Sequence, residues 1–470
     1  MSLPTPEGLQ CEVLALPEIG HYVVLGTAGS GKTTLAILRA VYLSRLHKEK
    51  VLIVTFNKAL VTYLKSISEG ELKNVDVHNY HKFARGYLGN RGLLGPNDIV
   101  RSYSTTKWTK SELIQKALEK RKEINPTEKT FERPLEVFIE EINWIQKMGI
   151  KNSDDYNQAD RIGRGSTRIS RDKRAFFFEV YQEYLEIRKD YNYKYDLEDI
   201  PQYVSAEFDN DNGSRMYKHI IIDEGQDLSP IMLQSLSKAI PEDGSITYFG
   251  DVAQQIYGSR ISWRHAGFNN PKVWKFEQNY RNTKEIASLA LAISNSSLFK
   301  EDVDLIEPKA PKASGPKPAV IKFTNNKSEI NAIIKQAEHF SKNETVAILV
   351  RDRETVSTLK RNLRAKDIDS YELNGEMNRW HIEPSIHVGT LHSAKGLEFD
   401  IVIIPFCNNE TLPSSKRILS LDSEDEAKSE EIKLLYVGVT RAKRGLIITF
   451  TGEATELLPP NNDLYQEFER

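Results

Sequence analysis

The stretch His21-Tyr-Val-Val-Leu25-Gly26-Thr-Ala-Gly-Ser-Gly-Lys-Thr33 decides the fold. Its first five residues read as a buried strand, and Thr33–Leu43 carries helical spacing. The turn between them matches G-x-x-x-x-G-K-[ST]. Glycines there let the backbone curl so that its N–H groups face phosphate oxygens. Gly26, Thr27, Ala28, Gly29, Ser30, Gly31, Lys32, Thr33 and Thr34 are therefore the expected nucleotide-binding residues. Lys32 would place its charge near the β- and γ-phosphates, and Thr33 would offer a hydroxyl to Mg2+. The following helix points its positive end at the same place. A glycine-rich turn with no ligand is the competing reading, and the strand and helix around it count against that.

Outward from this turn the alternation continues. Val51–Phe56, His219–Ile222 and Ile246–Phe249 read as apolar strands, with a helical stretch at Met232–Ile240. Short apolar strands alternating with helices predict a parallel sheet covered on both faces. Between about 86 and 214 the spacing is helical instead. Leu135, Phe138, Ile142 and Ile145 share one stripe, and Phe177, Val180, Tyr181 and Tyr184 another. A second α/β block offers Val273–Phe276, Val320–Phe323, Val346–Val350, Ile386–Gly389, Ile401–Ile404 and Leu446–Phe450 as strands. The expected organisation is a first domain at 1–85 and 215–270, a helical insertion at 86–214, and a second domain at 271–470. The acidic stretch Asp422–Glu431 reads as a solvated loop or the start of a helix.

A chain of 470 residues with 39% hydrophobic and 28% charged residues is long enough for several cores and is not disordered. Two cysteines exclude a disulfide scaffold and a Cys-rich zinc module. A net charge of −2 gives no overall support for a nucleic-acid partner, which must be argued from local patches. No apolar run approaches the ~18 residues of a membrane span. The N-terminus lacks a secretory pattern, so a cytoplasmic location and no membrane partner are expected.

A phosphate cradle needs a carboxylate partner. Asp223-Glu224-Gly-Gln-Asp227 supplies one at the end of the apolar strand His219–Ile222. Asp223 would hold Mg2+ through water, and Glu224 would polarise an attacking water.

Together these residues resemble the UvrD/Rep branch of superfamily 1 helicases, and further motifs follow in that family's order. Gln10 lies 16 residues before Gly26 and resembles the adenine-reading Q motif. Thr55-Phe-Asn-Lys-Ala59 resembles motif Ia, and Gly250-Asp-Val-Ala-Gln254-Gln-Ile-Tyr257 motif III. Asn279-Tyr280-Arg281-Asn-Thr283 resembles motif IV. Thr390-Leu-His-Ser-Ala-Lys-Gly396-Leu-Glu398-Phe399 resembles motif V, and Leu435-Tyr-Val-Gly-Val-Thr440-Arg441-Ala-Lys-Arg444 motif VI. The resemblance implies two RecA-like α/β domains that use ATP and Mg2+, with Gln254 sensing the γ-phosphate and Tyr280 stacking on adenine. It also implies that Arg281 and Arg441 reach the γ-phosphate from the second domain, with Glu398 near the ribose or that phosphate.

The same resemblance implies single-stranded DNA as partner, 3′→5′ movement, and strand contacts from Phe56, His81, Tyr257, Trp263, Arg264, Thr390 and His392. Aromatics suit that task because stacking tolerates any base. Tyr257 and Trp263 are favoured as stacking residues because Arg260 and Arg264 suggest an exposed basic surface, whereas Phe83 is expected in the core. The run Arg161–Arg174 carries six basic residues against one acidic, and reads either as a phosphate contact or as a solvated face.

Three departures stand out. About a dozen residues separate Tyr371–Leu373 from Ile386, where larger relatives insert the domain called 2B. Thr34 stands where many relatives place an adenine-stacking arginine. Only 26 residues follow Arg444, so any nuclease activity is expected from a partner protein. The size also resembles the helicase-like subunit of Gabija-type anti-phage systems. Two other functions compete with a strand-tracking motor: a P-loop kinase or metabolic NTPase, and a regulatory nucleic-acid sensor within a repair or anti-phage nuclease complex. The kinase would need neither the second domain nor its arginines.

Overall fold

The computed structural model describes residues 6, 8–47, 49–56, 58–67, 73–101, 107–161, 169–251, 263–276, 279, 281–299, 311, 313–374, 380–381, 383–421, 423–461 and 463–470. Two parallel sheets organise them, which bears out the α/β class expected from the alternating pattern.

The first sheet contains β1 (Gly20–Gly26), β2 (Val51–Thr55), β3 (Val75–Asn79), β4 (His219–Ile222), β5 (Ser245–Gly250) and β6 (Lys272–Phe276). Their order is β3-β2-β4-β5-β1-β6, every pair parallel. Strands β2, β4 and β5 are buried along their whole length. Burial on both faces is why they read as unbroken apolar runs and not as alternation.

Strand β6 corrects the expected organisation. Val273–Phe276 was assigned to the second block, yet it pairs with β1, placing Val23 opposite Val273. The sheet therefore continues past 270. Spacing alone could not decide this, because β6 is an edge strand with Lys272, Val273 and Lys275 exposed.

The helical layer is narrower than 86–214. The helices Tyr80–Asn90 and Ile200–Asn210 pack in one cluster with Leu52, Val54, Ile220 and Ile222 of the first sheet. They are thus part of that domain's covering layer. The separate helical core is formed by Lys110–Ile124, Leu135–Met148 and Arg171–Asp190, packed around Phe131, Phe138, Ile142, Phe177 and Tyr184. Thr109 opens this layer with a reciprocal cap: its side chain accepts from the Glu112 N–H while the Glu112 carboxylate accepts from the Thr109 N–H at 2.7 Å.

The second sheet contains β7 (Ala319–Phe323), β8 (Thr345–Val350), β9 (Tyr371–Glu372), β10 (Ser385–Thr390), β11 (Phe399–Ile404), β12 (Ala442–Thr451) and β13 (Gln466–Glu469). The order is β13-β7-β12-β11-β8-β10-β9, again wholly parallel. Strand β13 was not expected, since all four of its residues are exposed and it has no apolar run. The acidic stretch starts the helix Glu424–Thr440, capped by the Ser423 side chain. It is not wholly solvated, because Glu431 is fully buried against Arg351.

The connection 373–384 between β9 and β10 is twelve residues long, too short for a folded domain. From it Trp380 enters the core, stacking on His387 with ring centroids 4.9 Å apart. The same ring meets Tyr63 of the first domain edge-on at 5.2 Å. Among the described residues no helix is long and apolar enough to cross a membrane.

Candidate nucleotide site and strand-binding surface

The site lies at the carboxyl ends of four adjacent parallel strands, β4, β5, β1 and β6, where open parallel sheets place their ligands. The phosphate turn follows β1, Asp223 and Glu224 follow β4, Asp251 follows β5, and Arg281 follows β6.

Gly29 and Gly31 adopt φ of 77° and 82°, which other residues rarely tolerate. A Cβ on Gly29 would also lie 2.7 Å from Cβ of Arg281, so the turn is packed directly on the arginine's backbone. Lys32 is buried and donates to the carbonyls of Gly26 at 2.9 Å and Thr27 at 2.7 Å. Burial pushes its ammonium below its ordinary range, against the pull of Asp251 and Glu224. Gln10 donates to the Ser30 carbonyl at 3.2 Å, which fixes the N-terminal helix Leu9–Leu14 beside the turn. Thr34 is half-buried in the first turn of the helix Lys32–His47.

The Thr33 hydroxyl donates to Asp223 Oδ2 at 3.0 Å. Asp223 Oδ1, Thr27 Oγ1 and Ser30 Oγ are buried without a hydrogen-bond partner. Three unsatisfied oxygens in one cradle suit a divalent cation and the polar ligand it would accompany. Among the described residues no group of three or more His, Cys, Asp or Glu could hold a metal. One carboxylate and one hydroxyl beside a phosphate turn match Mg2+, which keeps waters and substrate oxygens as its other ligands.

Burial, and then the Glu224 charge, push Asp223 up to about 7. Burial also opposes ionisation of Glu224, but Lys32 and Arg441 outweigh it and hold that carboxyl below its usual range. Glu224 stands in the left-handed region at φ 52°. Gln226 fixes it there by donating to Glu224 Oε2, while accepting from the Asp251 N–H at 2.9 Å.

The arginines come from two places, which corrects one expectation. Arg281 does not reach across from the second domain: it sits on the segment that directly follows β6. Its Nε donates to Glu398 Oε2 at 2.9 Å. Arg441 does come from the second domain, between the helix Glu424–Thr440 and β12, fully buried, with Nε donating to the Val437 carbonyl at 3.0 Å. Burial, then Arg281, lower it to about 10, while Glu224 and Asp251 support its charge. Asn282 joins the two arginines, donating to the carbonyls on either side of Arg441: Thr440 at 3.2 Å and Ala442 at 2.5 Å. Glu398 also pairs with Lys443 at 2.9 Å and accepts from Tyr63 at 3.5 Å. A second bridge between the domains is the buried ion pair of Lys395 with Asp227.

Gln254, Tyr257, Arg260 and Tyr280 lie outside the described residues. Phe56 is exposed and meets His81 edge-on at 6.3 Å, so these two expected strand contacts share one surface. Trp263 is half-buried, edge-on to Tyr248 at 5.0 Å, while Arg264 is exposed. Thr390 ends β10, and His392 is exposed on the turn that follows. Tyr80 and Phe83 are core residues, as was expected for Phe83.

The basic run is corrected in part. Arg161 is bound to the buried carboxylate of Glu141 at 2.6 Å, and Arg174 donates to the carbonyls of Tyr156, Asn157 and Ala159. Both hold the helical layer together. Residues 162–168 of the run lie outside the described residues.

The sequence reading missed Tyr63, Gln226, Asp251, Asn282, Lys395 and Lys443 as parts of this site. All but Tyr63 lie inside motifs already quoted. Their roles depend on hydrogen bonds between loops distant in sequence.

Residues 10–281 match the model of the UvrD/REP helicase N-terminal domain. Residues 274–377 and 370–453 match that of the UvrD-like helicase C-terminal domain. A "Probable DNA helicase" of Mycoplasma pneumoniae is 23% identical over 466 residues, covering 91% of this chain and 80% of that protein. A "Probable DNA helicase II homolog" of Rickettsia felis is 30% identical over 203 residues, 39% of this chain and 29% of that one. The "ATP-dependent DNA helicase srs2" of Schizosaccharomyces pombe is 24% identical over 371 residues, 72% of this chain and 41% of its own length. The chain thus spans most of the first relative and less than half of the other two.

Proposed function

The chain belongs to the UvrD/REP helicase family, and from that premise we propose that it is an ATP-hydrolysing DNA helicase that moves 3′→5′ along a single strand. The observation that carries this reading is the convergence of Lys32, Glu224, Arg281 and Arg441 on one site, each within electrostatic reach of another.

The residues divide the work. Lys32 exchanges its two carbonyl partners for phosphate oxygens. Thr33 and Asp223 hold Mg2+, which when bound neutralises developing phosphate charge. Glu224, kept ionised by Lys32 and Arg441, orients the attacking water and accepts its proton. Arg281 and Arg441 stabilise charge on the transferred phosphate. Gln254 and Tyr280 complete the site as γ-phosphate sensor and adenine platform. Because Arg441 belongs to the second domain and Lys32 to the first, bound ATP favours a closed arrangement by contacts made only there. Closing and reopening, with Phe56, His81, Tyr257, Trp263, Thr390 and His392 gripping the strand, moves the protein along it. The protein acts in the cytoplasm.

A second reading is an ATP-dependent sensor or regulatory subunit beside a nuclease, with little unwinding of its own. The twelve-residue connection between β9 and β10 favours it, since no separate duplex-gripping domain is inserted there.

Single strands of increasing length, labelled at either end with a fluorophore quenched on arrival of the protein, separate the two. A motor moving 3′→5′ gives an ATP-dependent signal at the 5′ label whose delay grows with length. A signal independent of length supports the sensor.

A further inference from the structure

Glu398 is shared by two cations from different elements. Its Oε2 accepts from Arg281 Nε at 2.9 Å, and its Oε1 pairs with Lys443 Nζ at 2.9 Å. Three-quarters of the side chain is shielded from solvent. Burial opposes its ionisation, yet Arg281 and Lys443 hold the carboxyl down at about 2.

Arg281 is fixed at its backbone independently of its bond to Glu398. Its N–H donates to Asn279 Oδ1 at 2.9 Å, and its Cβ lies against Gly29. Its guanidinium charge opposes the protonated forms of Lys32 and Arg441. It is held among these cations by Glu398. A phosphate entering beside Lys32 reverses that balance and draws the guanidinium toward itself. The movement leaves Glu398 behind, and an uncompensated buried carboxylate is costly.

We propose that Lys443 is a positioning residue: it keeps Glu398 paired while Arg281 is transferred to the nucleotide's terminal phosphate, and so sets how readily that arginine engages. The inference rests on the role given to Arg281 above. Lys443 is suited to it by position, because it follows the Thr440–Ala442 stretch that Asn282 clamps to the Arg281 segment. Its side chain is about a third exposed, so replacement removes a charge without opening a core.

The test is steady-state ATP hydrolysis with single-stranded DNA by wild type, Lys443→Met, Lys443→Arg and the double variant Lys443→Met/Glu398→Gln. Lys443→Met should lower kcat by roughly tenfold, as expected for directly coupled neighbours, with KM for ATP little changed. Lys443→Arg should retain most of the turnover. Adding Glu398→Gln to Lys443→Met should raise kcat again, whatever it does to KM, because a neutral amide no longer retains the arginine. A structural role would not predict that rescue. If Lys443→Met does not fold, Lys443→Gln replaces it. Unchanged kcat in Lys443→Met, or no recovery in the double variant, overturns the inference. Arg281→Lys measured alongside separates the two levels: turnover indifferent to it overturns the role of Arg281 itself.

Discussion

Thr33 Oγ1 donates to Asp223 Oδ2 at 3.0 Å, while the other oxygen of the same carboxylate is buried with no partner. The pair joins the helix that follows the phosphate turn to the end of β4 and leaves a buried acceptor without a partner. Asp223→Asn removes that charge. Its Mg2+ requirement for turnover should rise by roughly 100-fold, since even outer partners of a metal ligand contribute 10–100-fold. Titrating Mg2+ against ATPase rate checks this. An unchanged Mg2+ midpoint would remove Asp223 from the metal site.

Arg441 is fully buried and bonded through Nε to the Val437 carbonyl. Arg441→Lys keeps the charge but loses the planar fork. It should reduce kcat on the order of 10³-fold while affinity for a non-hydrolysable ATP analogue changes only a few-fold. Weakened binding with normal turnover of the bound nucleotide would assign Arg441 to binding alone.

Lys395 and Asp227 form a buried pair between the domains. Burial raises Asp227 to about 6 despite the lysine. A raised acid means that the ionised form costs stability above about pH 6 and that this cost fades as pH falls toward the unfolded value near 4. Lys395→Met strands that charge. It should destabilise the protein by roughly 3–5 kcal/mol at pH 8 and by clearly less at pH 5, where Asp227 is protonated. Thermal midpoints at the two pH values measure it. Equal losses at both would mean that the charge of Asp227 is not what Lys395 offsets.

Two of the described aromatic candidates, Phe56 and Trp263, should separate under substitution. Phe56 is 37% exposed, so Phe56→Ala should leave the melting temperature in place and weaken single-strand binding by ~1–3 kcal/mol. Trp263 packs edge-on against Tyr248 and at a tilt against Phe268. Trp263→Ala should lower the melting temperature as well as the affinity. If only the melting temperature falls, Trp263 is a packing residue.

Much of this was legible in the sequence because buried parallel strands announce themselves. β2, β4 and β5 are apolar throughout, and the phosphate turn is punctuated by glycines whose positive φ the structure bears out. Edge strands were not legible. β6 was given to the wrong sheet and β13 missed, because exposed faces carry no hydrophobic signal. Within the site, single residues with a motif chemistry were found and the bonds between them were not. Gln226, Asn282 and Lys443 act through partners 25 to 160 positions away, and no local spacing encodes such a pairing. The run from Arg161 to Arg174 was left open for the same reason: Arg161 is neutralised by Glu141, twenty residues back on the helix Leu135–Met148.

The central claim is that nucleotide turnover is coupled to a nucleic-acid strand. It is tested most directly by steady-state ATPase activity with no nucleic acid, single-stranded DNA, duplex DNA and RNA of equal length. The predicted result is strong stimulation by single-stranded DNA, weaker stimulation by duplex and RNA, and none of it in Lys32→Ala. Hydrolysis indifferent to all four conditions would contradict the motor.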